Sequence, residues 1–447
     1  MTPYALYLHI PFCRQRCSYC DFNTYTTLND LQPAYVAALA AEIRQVGALA
    51  AAAGEPRPAV RTVFFGGGTP SLLTPAQVGD LLGAARAAFT LDGDAEITME
   101  ANPGTVSAEW LAAVRGLGVN RLSFGVQSAL PGELALLGRA HDFAAAGEAV
   151  DMATAAGFDN LNLDLIYGLP GQSVADWGQT LAAVLSLAES APAITHISLY
   201  CLTIEPGTPM QRWLHNGTIL APDPDTAADQ YELAGRELAA AGFGHYEISN
   251  WARPGRECRH NVVYWRNEPY LGLGAGAHGL AGGYRYQVVR QPRAYVRRMG
   301  ERPPTADSRP PTNDGRWMTD DTLPSTADNP PMSAASAALR PSAVGRQRSL
   351  AEAAGPGRFP LSAAVAAYHR VDATEAMSDT AITQLRLLDE GLDMAGFATR
   401  FGRPFDDVYA NEVRQLEEWQ LLHRRDGRLL LTERGRFLSN QVFYRFV

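Results

Sequence analysis

Three cysteines on one short segment are the residues of this sequence best suited to chemistry. Cys13, Cys17 and Cys20 have the spacing Cys-x3-Cys-x2-Cys and lie within eight residues of a chain of 447. Three thiolates so close together can hold one iron–sulfur cluster. Because four thiolates would close a four-iron cluster, three leave one iron open to a small chelating molecule. The pattern therefore predicts an open four-iron cluster held by one loop.

Zinc is the alternative partner for these thiolates. Structural zinc usually takes four Cys or His ligands, and we expect the nearest histidine, His9, to point away from the loop. Cys258 could complete such a site only from far along the chain. The chain has five cysteines in all, too few for a disulfide framework at this size, so the clustering favours a metal or redox site in a reducing compartment.

Strand-like and helix-like segments alternate along the first two thirds of the chain and must position these cysteines. The strand-like segments are 5–10, 62–65, 96–100, 121–125, 161–166, 194–200 and 245–249. The helical patterns between them cover 33–53, 75–89, 108–117, 144–156, 174–187 and 227–241. Strands joined by helices of this length form parallel sheets, open or curled into a barrel, with the functional site at the carboxyl ends of the strands.

Glycines and polar residues follow several predicted strands at that same end. Gly66-Gly67-Gly68-Thr69-Pro70 follows the second strand, Glu100 ends the third, Gln127 follows the fourth and Asp164 closes the fifth. Parallel strands would bring all of them to the rim that holds the cysteine loop. Each also has a plainer interpretation: the glycines could form only a tight turn, and the two acids could be a helix cap or a surface ion pair.

Composition and charge exclude several classes of protein. The chain has 38 Lys+Arg and 47 Asp+Glu, a formal charge of −9, which disfavours a general binder of nucleic acid or anionic membranes. Hydrophobic residues make up 46% of the sequence, enough for a real core. No segment shows the roughly 18 to 20 unbroken apolar residues of a membrane helix, and the first residues do not form a basic leader. We therefore expect a cytoplasmic protein without a transmembrane segment.

The sequence predicts three parts. Residues 1–298 form the α/β core, and residues 299–360, rich in Pro, Ser and Ala, are expected to be a disordered insertion. Residues 361–447 regain helical patterning at 381–389 and 406–422, followed by a hairpin-like stretch at 421–431 around Asp426-Gly427. This indicates a small, mainly helical domain of winged-helix character.

The cysteine motif, with Tyr19 just before its last cysteine, resembles that of the radical S-adenosylmethionine superfamily. Four further segments resemble the oxygen-independent coproporphyrinogen III dehydrogenase group within it, and the stretch 431–443 resembles that group's C-terminal motif. The four segments are YLHIPFC at 7–13, GGGTP at 66–70, RLSFGVQ at 121–127 and DLIYGLP at 164–170.

This resemblance implies a partial (β/α) barrel with parallel strands and a 4Fe-4S cluster on Cys13, Cys17 and Cys20. It also implies S-adenosylmethionine on the open iron. The residues that it implies as contacts to S-adenosylmethionine are Tyr7, Tyr19, Gly68, Thr69, Glu100, Gln127, Arg139 and Asp164. From its residue type alone, Arg139 could equally be a solvated helix residue.

Two features separate the possible functions. Phe22 stands where the dehydrogenases continue with a further cysteine, and the long N-terminal arm that precedes the motif in those enzymes is missing. The Cys-Asp-Phe ending and the stretch HNVVYW at 260–265 instead resemble the heme chaperone group. The resemblance thus implies a protein that binds heme and transfers it to hemoproteins, with no requirement for radical turnover, so the question of enzymatic activity stays open.

Two enzyme functions remain as alternatives. One is oxygen-independent coproporphyrinogen III dehydrogenase, in which a 5'-deoxyadenosyl radical abstracts hydrogen from a propionate side chain and carbon dioxide leaves. The other is radical chemistry on a different substrate, because the substrate end of such barrels varies.

Three residues are candidate heme ligands. His260 lies beside Tyr264 and Trp265, a combination that could ligate iron and pack on a porphyrin, although it could equally form a packed corner with the imidazole bonded to backbone. His278, on the glycine-rich stretch GAGAH, and Cys258 are the other two candidates. The expected partners are heme, a recipient hemoprotein and an electron donor, with a homodimer as a further possibility.

Overall fold

A twelve-stranded sheet organises the chain in this computed structural model, which describes residues 3–300 and 358–447. The first six strands lie side by side in chain order and are parallel. They are β1 (Tyr4–Ile10), β2 (Ala59–Gly67), β3 (Thr90–Ala101), β4 (Arg121–Gln127), β5 (Leu161–Tyr167) and β6 (Ile194–Cys201). The prediction of a partial barrel of parallel strands is therefore confirmed.

Helices connect these strands, and two more helices follow β6. They are α1 (Gln32–Ala52), α2 (Pro75–Ala88), α3 (Ala108–Gly116), α4 (Pro131–Leu137), α5 (Phe143–Ala155), α6 (Val174–Ser190), α7 (Pro209–His215) and α8 (Pro224–Ala240). Thr74 and Ser173 begin α2 and α6 with reciprocal side-chain capping bonds, which explains why these helix starts are readable in the sequence.

The sheet is completed by shorter elements at both edges. They are β7 (Gly244–Glu247), β8 (Asn250–Ala252), α9 (Arg259–Trp265), β9 (Tyr270–Leu273), β10 (His278–Ala281), β11 (Tyr284–Val288), α10 (Pro292–Gly300) and β12 (Val365–Arg370). The strand predicted at 245–249 is correct only up to Glu247, where the chain turns and returns antiparallel as β8. β9 pairs parallel with β1, so it places His278, at the start of the next strand, near the end of β1.

Alternation along the strands separates an apolar face from a polar one. In β1, Leu6, Leu8 and Ile10 are fully buried in the core beneath the helices. Tyr7 and His9 point the other way, onto the face that we call the inner face. Strands buried on both sides but polar on one of them can hold functional groups away from bulk water.

One described helix, Asn29–Ala52, is long and apolar enough to cross a membrane by length and composition. The sequence predicts a helix at 33–53 but no membrane segment there. Tyr35, Leu39, Ile43 and Val46 are fully buried in the core, so the helix packs as a core element of the sheet.

The buried carboxylate of Glu42 on α1 joins three separate parts of the chain. Its Oε2 accepts hydrogen bonds from the Tyr295 hydroxyl at 2.7 Å and from the Gly274 amide at 2.9 Å, and its Oε1 accepts from the Ser362 hydroxyl at 2.6 Å. Tyr295 and Ser362 lie on either side of residues 301–357. Most of the predicted insertion at 299–360 lies outside the described residues, and described residues on both sides of it bond to this one carboxylate.

The C-terminal residues form a smaller unit with its own core. Its helices are Ala373–Gln384, Met394–Phe401, Phe405–Glu418, Glu433–Phe437 and Ser439–Phe443, and its strands are Leu392–Asp393, Leu422–Arg425 and Arg428–Leu431. The predicted hairpin is present, and Asp426 and Gly427 both adopt the positive φ of its turn. The first helix begins earlier than the predicted 381–389, at Ala373, where Asp372 caps it.

Arg386 joins this unit to the sheet. Its guanidinium lies 4.3 Å from the ring centre of Trp265 and 3.8 Å from the Glu247 carboxylate, and both charged side chains are almost completely buried. The Leu388 amide also donates to the Tyr246 carbonyl at 2.9 Å. A buried cation, a buried anion and backbone bonds thus hold the two units together.

Candidate functional site

The cysteine loop is fixed at both ends by backbone hydrogen bonds. The Tyr25 amide donates to the Pro11 carbonyl at 2.7 Å, and the Cys13 amide donates to the Tyr25 carbonyl at 3.0 Å. In the middle of the loop, Ser18 donates from its amide and its hydroxyl to the last turn of α4. The loop is therefore held in one shape by its surroundings.

Two of the cysteine sulfurs accept hydrogen bonds from residues at the rim. The Thr69 hydroxyl lies 3.5 Å from Cys13 Sγ, and Arg139 Nη1 lies 3.2 Å from Cys17 Sγ. Burial raises the pKa of the Cys13 thiol and raises that of Cys20 to about 11. Metal binding to these thiols would displace protons, and the donors from Thr69 and Arg139 would then stabilise the thiolates.

A single metal ion does not suit this arrangement. In the described ranges 3–300 and 358–447, no three His, Cys, Asp or Glu side chains converge on one point. Structural zinc needs such convergence, whereas the thiolates of an iron–sulfur cluster bind different irons and lie farther apart. His9 lies on the inner face, where its Nε2 bonds to the Asn23 carbonyl after the loop, and it does not join the cysteines in such a group.

The glycine run lies directly against the cysteine loop. The Gly68 amide donates to the Ile10 carbonyl at 2.8 Å, and a Cβ at this position would lie 2.6 Å from the Phe12 carbonyl oxygen. At Gly67, where φ is +114°, a Cβ would lie 2.4 Å from the His9 ring. Glycine is therefore required here for close approach to β1 and the loop, in addition to forming a turn.

Glu100 and Asp164 lie on the inner face at neighbouring strand ends. Glu100 Oε2 accepts from the Gly67 amide at 3.0 Å, and Asp164 accepts from Ser123 at 2.9 Å. Burial and repulsion by Asp164 raise the pKa of Glu100 to about 8, and burial raises the pKa of Asp164. Within the described residues neither acid takes part in an ion pair or a helix cap, so both can accept hydrogen bonds from a cationic or hydroxylated ligand.

The raised pKa of Glu100 predicts a pH effect on the protein without ligands. When the pKa of a carboxyl is higher in the folded than in the unfolded protein, the folded protein loses stability as the pH rises from the unfolded-state pKa to the folded-state pKa. Between pH 5 and 8, the free energy of unfolding of the wild type should therefore fall relative to that of Glu100→Gln, by about 3 kcal/mol. Denaturant titrations of both proteins at each pH measure this, and parallel curves would contradict the assignment.

Arg139 connects the rim strands to the loop and is not a solvated helix residue. It follows Gly138, which ends α4 in the left-handed conformation. Its Nη2 donates to the Gly125 carbonyl at 2.7 Å and to the Asn102 side chain, while Nη1 reaches Cys17. Asn102 is not among the site residues predicted from the sequence, although its place directly after β3 is the signal that could have identified it.

Gln127 and the two tyrosines complete the rim. Gln127 is nearly buried, and its Oε1 has no hydrogen-bond partner among the described residues, which fits an acceptor for a bound molecule. Tyr7 donates to His9 Nδ1 at 3.0 Å, and Tyr19 packs in a small apolar cluster beside α7. The glycine cradle, the unpaired acceptor and the two acids together fit S-adenosylmethionine, which carries an ammonium group and ribose hydroxyls.

His260 lies in a packed corner of the inner face. It is 1% exposed, its Nδ1 lies 2.8 Å from the Thr62 hydroxyl and its Nε2 lies 2.9 Å from the Tyr264 hydroxyl. Burial lowers its pKa to about 3. Glu96 accepts from the His260 amide and anchors the start of α9. Both ring nitrogens are therefore occupied, and heme ligation would require this corner to open.

The other two candidate heme ligands differ in access. Cys258 is fully buried beside Glu96, and burial raises its pKa to about 12. His278 is partly exposed, and its ring has no hydrogen bond within the described part of the chain. Burial, then the charges of Arg285 and Arg290, lower its pKa to about 4, so its imidazole is neutral near pH 7.

Comparison with known proteins agrees with this geometry. The family model of the Radical SAM superfamily matches residues 7–184, and that of the HemN C-terminal domain matches 371–438. The solved structure of coproporphyrinogen III oxidase (HemN) from Escherichia coli has a TM-score of 0.73 to this chain at 22% identity, over 99% of this chain and 90% of that chain. The fold and the cysteine loop define a radical SAM protein, a superfamily that implies a 4Fe-4S cluster and S-adenosylmethionine.

Proteins of similar sequence identify the family within this superfamily. Heme chaperone HemW of Mycobacterium tuberculosis is 44% identical over 297 residues, which cover 66% of this chain and 74% of that protein. Heme chaperone HemW of Bacillus subtilis is 30% identical over 444 residues, 99% of both chains. The chain belongs to the heme chaperone HemW family.

Proposed function

We propose that this protein binds heme and transfers it to hemoproteins, carrying a 4Fe-4S cluster on Cys13, Cys17 and Cys20 and S-adenosylmethionine on the open iron. The observation that carries the proposal is the similarity to the B. subtilis heme chaperone over 99% of both chains. The proposal includes a cytoplasmic location, an electron donor and a homodimer as predictions.

The residues of the rim support the cofactor part of this proposal. When bound, the cluster supplies an electron that can be passed to S-adenosylmethionine. Arg139 and Thr69 would stabilise the thiolates through the bonds that they already make to Cys17 and Cys13. Glu100 and Asp164 would accept bonds from the ammonium and hydroxyl groups, and burial excludes competing water.

Phe22 supports the chaperone rather than the dehydrogenase. It stands where a further cysteine is expected in the dehydrogenases, and its side chain is 46% exposed beside the loop. A phenyl ring can neither ligate a metal nor exchange a hydrogen atom as a thiol can. It can, however, pack against an apolar porphyrin face, and exposed aromatic rings often mark binding surfaces.

We propose His278 rather than His260 as the axial heme ligand. Neutral imidazole nitrogen ligates heme iron, and His278 offers one without breaking existing hydrogen bonds. Arg290 lies close enough to influence the pKa of His278, and it could pair with a heme propionate. Asn23, next to Phe22, donates to the Arg290 carbonyl at 2.9 Å, so these residues lie at the same end of the sheet.

Heme titration followed by absorbance tests the function. Stoichiometric heme binding by the wild type, without protoporphyrin formation from coproporphyrinogen III under anaerobic reducing conditions with S-adenosylmethionine, is the expected result. Protoporphyrin formation over many turnovers would overturn the chaperone proposal in favour of the dehydrogenase.

The same titration distinguishes the two histidines. His278→Ala should weaken heme binding by about tenfold or more and change the Soret band, because the iron loses its ligand. His260→Ala should leave the Soret band unchanged and lower stability instead, since it removes two buried hydrogen bonds. A changed Soret band in His260→Ala alone would return the assignment to His260.

A further inference from the structure

Buried side chains on β5, β6 and β7 form a continuous hydrogen-bond chain that ends on Asp164. The Tyr246 hydroxyl lies 2.9 Å from His196 Nε2, and His196 Nδ1 lies 2.6 Å from Asn162 Oδ1. Asn162 Nδ2 then donates to Asp164 Oδ1 at 2.8 Å. His196 is fully buried and Asn162 is 2% exposed, so bulk water does not compete for these groups.

The chemistry of the groups sets one direction for every bond in this chain. A carboxylate accepts, so Asn162 must present its nitrogen to Asp164 and its oxygen to His196. An amide oxygen also accepts, so the proton of His196 must be on Nδ1. Burial and the charge of Arg121 lower the pKa of His196 well below its usual range, which keeps the ring neutral and leaves Nε2 to accept from Tyr246.

A second branch holds the other oxygen of the same carboxylate. Asn162 Nδ2 also donates to the Ser123 hydroxyl at 2.7 Å, and Ser123 donates to Asp164 Oδ2 at 2.9 Å. Because Asn162 and Ser123 each hold one oxygen of Asp164, its carboxylate cannot rotate freely. Ser198 on β6 also bonds to this carboxylate and donates to Asn162 Oδ1 at 3.1 Å. The lone pairs that these donors do not use can accept from a ligand at the rim.

The chain begins at α9, the helix that carries His260. The Cys258 amide, directly before this helix, donates to the Tyr246 hydroxyl at 3.4 Å. The hydrogen bonds thus run from the start of α9 through Tyr246, His196 and Asn162 to Asp164. We propose that His196 is a positioning residue, which through Asn162 orients the Asp164 carboxylate for S-adenosylmethionine. This inference rests on the proposed function, because the contact between Asp164 and S-adenosylmethionine is itself part of that proposal.

Variants at His196 test the positioning role through affinity. His196→Phe keeps the ring volume but removes both bonds, and should weaken S-adenosylmethionine binding to the reconstituted protein by about tenfold at unchanged iron content. His196→Asn places an amide donor near the position of Nδ1, so it should restore affinity to within about threefold of the wild type. Equilibrium dialysis gives both dissociation constants.

A second histidine provides the matched control. His245 on β7 bonds to the Tyr231 hydroxyl at 3.2 Å and stacks on Trp251, but no hydrogen bond connects it to Asp164 within the described residues. His245→Phe should therefore leave the dissociation constant unchanged even where it lowers stability. Equal affinities of the wild type and His196→Phe, or an equal loss in His245→Phe, would overturn the proposal.

The tautomer of His196 gives a readout that needs neither cluster nor ligand. Free histidine favours the proton on Nε2, whereas the chain of bonds requires it on Nδ1. Nitrogen NMR of histidine-labelled protein, with the resonance assigned from its loss in His196→Asn, should show the Nδ1–H form. The Nε2–H form would overturn the relay itself. If the reconstituted wild-type protein does not bind S-adenosylmethionine, the proposed function is contradicted, and the positioning role of His196 with it.

Discussion

Replacing Cys17 by Ser is expected to abolish the cluster. Only three thiolates are offered by the loop, so the loss of one leaves two, and a serine hydroxyl is a much poorer ligand for iron. Arg139 would also lose the sulfur to which it donates. After anaerobic reconstitution, iron, sulfide and the visible absorbance of the cluster should fall to near zero, against a full complement in the wild type.

Cys201 provides the control for this prediction. It is a free, exposed cysteine at the end of β6 and is not part of the loop. Cys201→Ser should keep the full iron and sulfide content under identical reconstitution. Full content in the Cys17 variant would refute the ligand assignment, and a comparable loss in the Cys201 variant would show that the effect is not specific to the loop.

Replacing Arg386 by Ala is expected to cause the largest loss of stability. The variant leaves the fully buried Glu247 carboxylate without its cation and removes the guanidinium that stacks on Trp265. Breaking one partner of a buried ion pair costs about 3 to 5 kcal/mol, because the remaining charge stays desolvated. Chemical denaturation followed by tryptophan fluorescence should show this fall in the free energy of unfolding.

Two further variants separate charge from general damage. Arg424 also pairs with two carboxylates, Asp406 and Glu417, but its side chain is 41% exposed, so Arg424→Ala should cost only about 0 to 1 kcal/mol. Adding Glu247→Gln to Arg386→Ala should recover part of the loss by removing the unpaired charge. Similar costs for both single arginine variants would mean that the buried pair does not join the two units as described.

The order of strands and helices was readable because local signals agree with the fold. Apolar alternation in β1 and capping residues such as Thr74 and Ser173 act within a few positions of each other, so they survive without tertiary information. The prediction of one strand at 245–249 was only partly correct, because two short strands joined by a tight turn have too few residues to show the alternation of apolar and polar residues. Only pairing with β6 and with each other defines them.

The rim of the site was predictable in outline, but its interior was not. Residue types at strand ends pointed to Glu100, Gln127 and Asp164, since topology alone brings those ends together. Whether His260 is free or bonded depends on Thr62, a residue nearly two hundred positions away whose contact no local pattern encodes. The same is true of Asn162 and His196, which look like ordinary strand residues until the inner face is assembled.

The bonds from Tyr295 and Ser362 to Glu42 hold the described residues before 301 and after 357 at one buried carboxylate of α1. A chain whose ends are fixed close together loses little additional closure entropy as it lengthens, since that cost grows only with the logarithm of length. Evolution can therefore enlarge or shorten the chain between these residues at low energetic cost. For the same reason, a fluorescent reporter or an affinity tag could be inserted in the 301–357 segment without redesign of the rest of the protein.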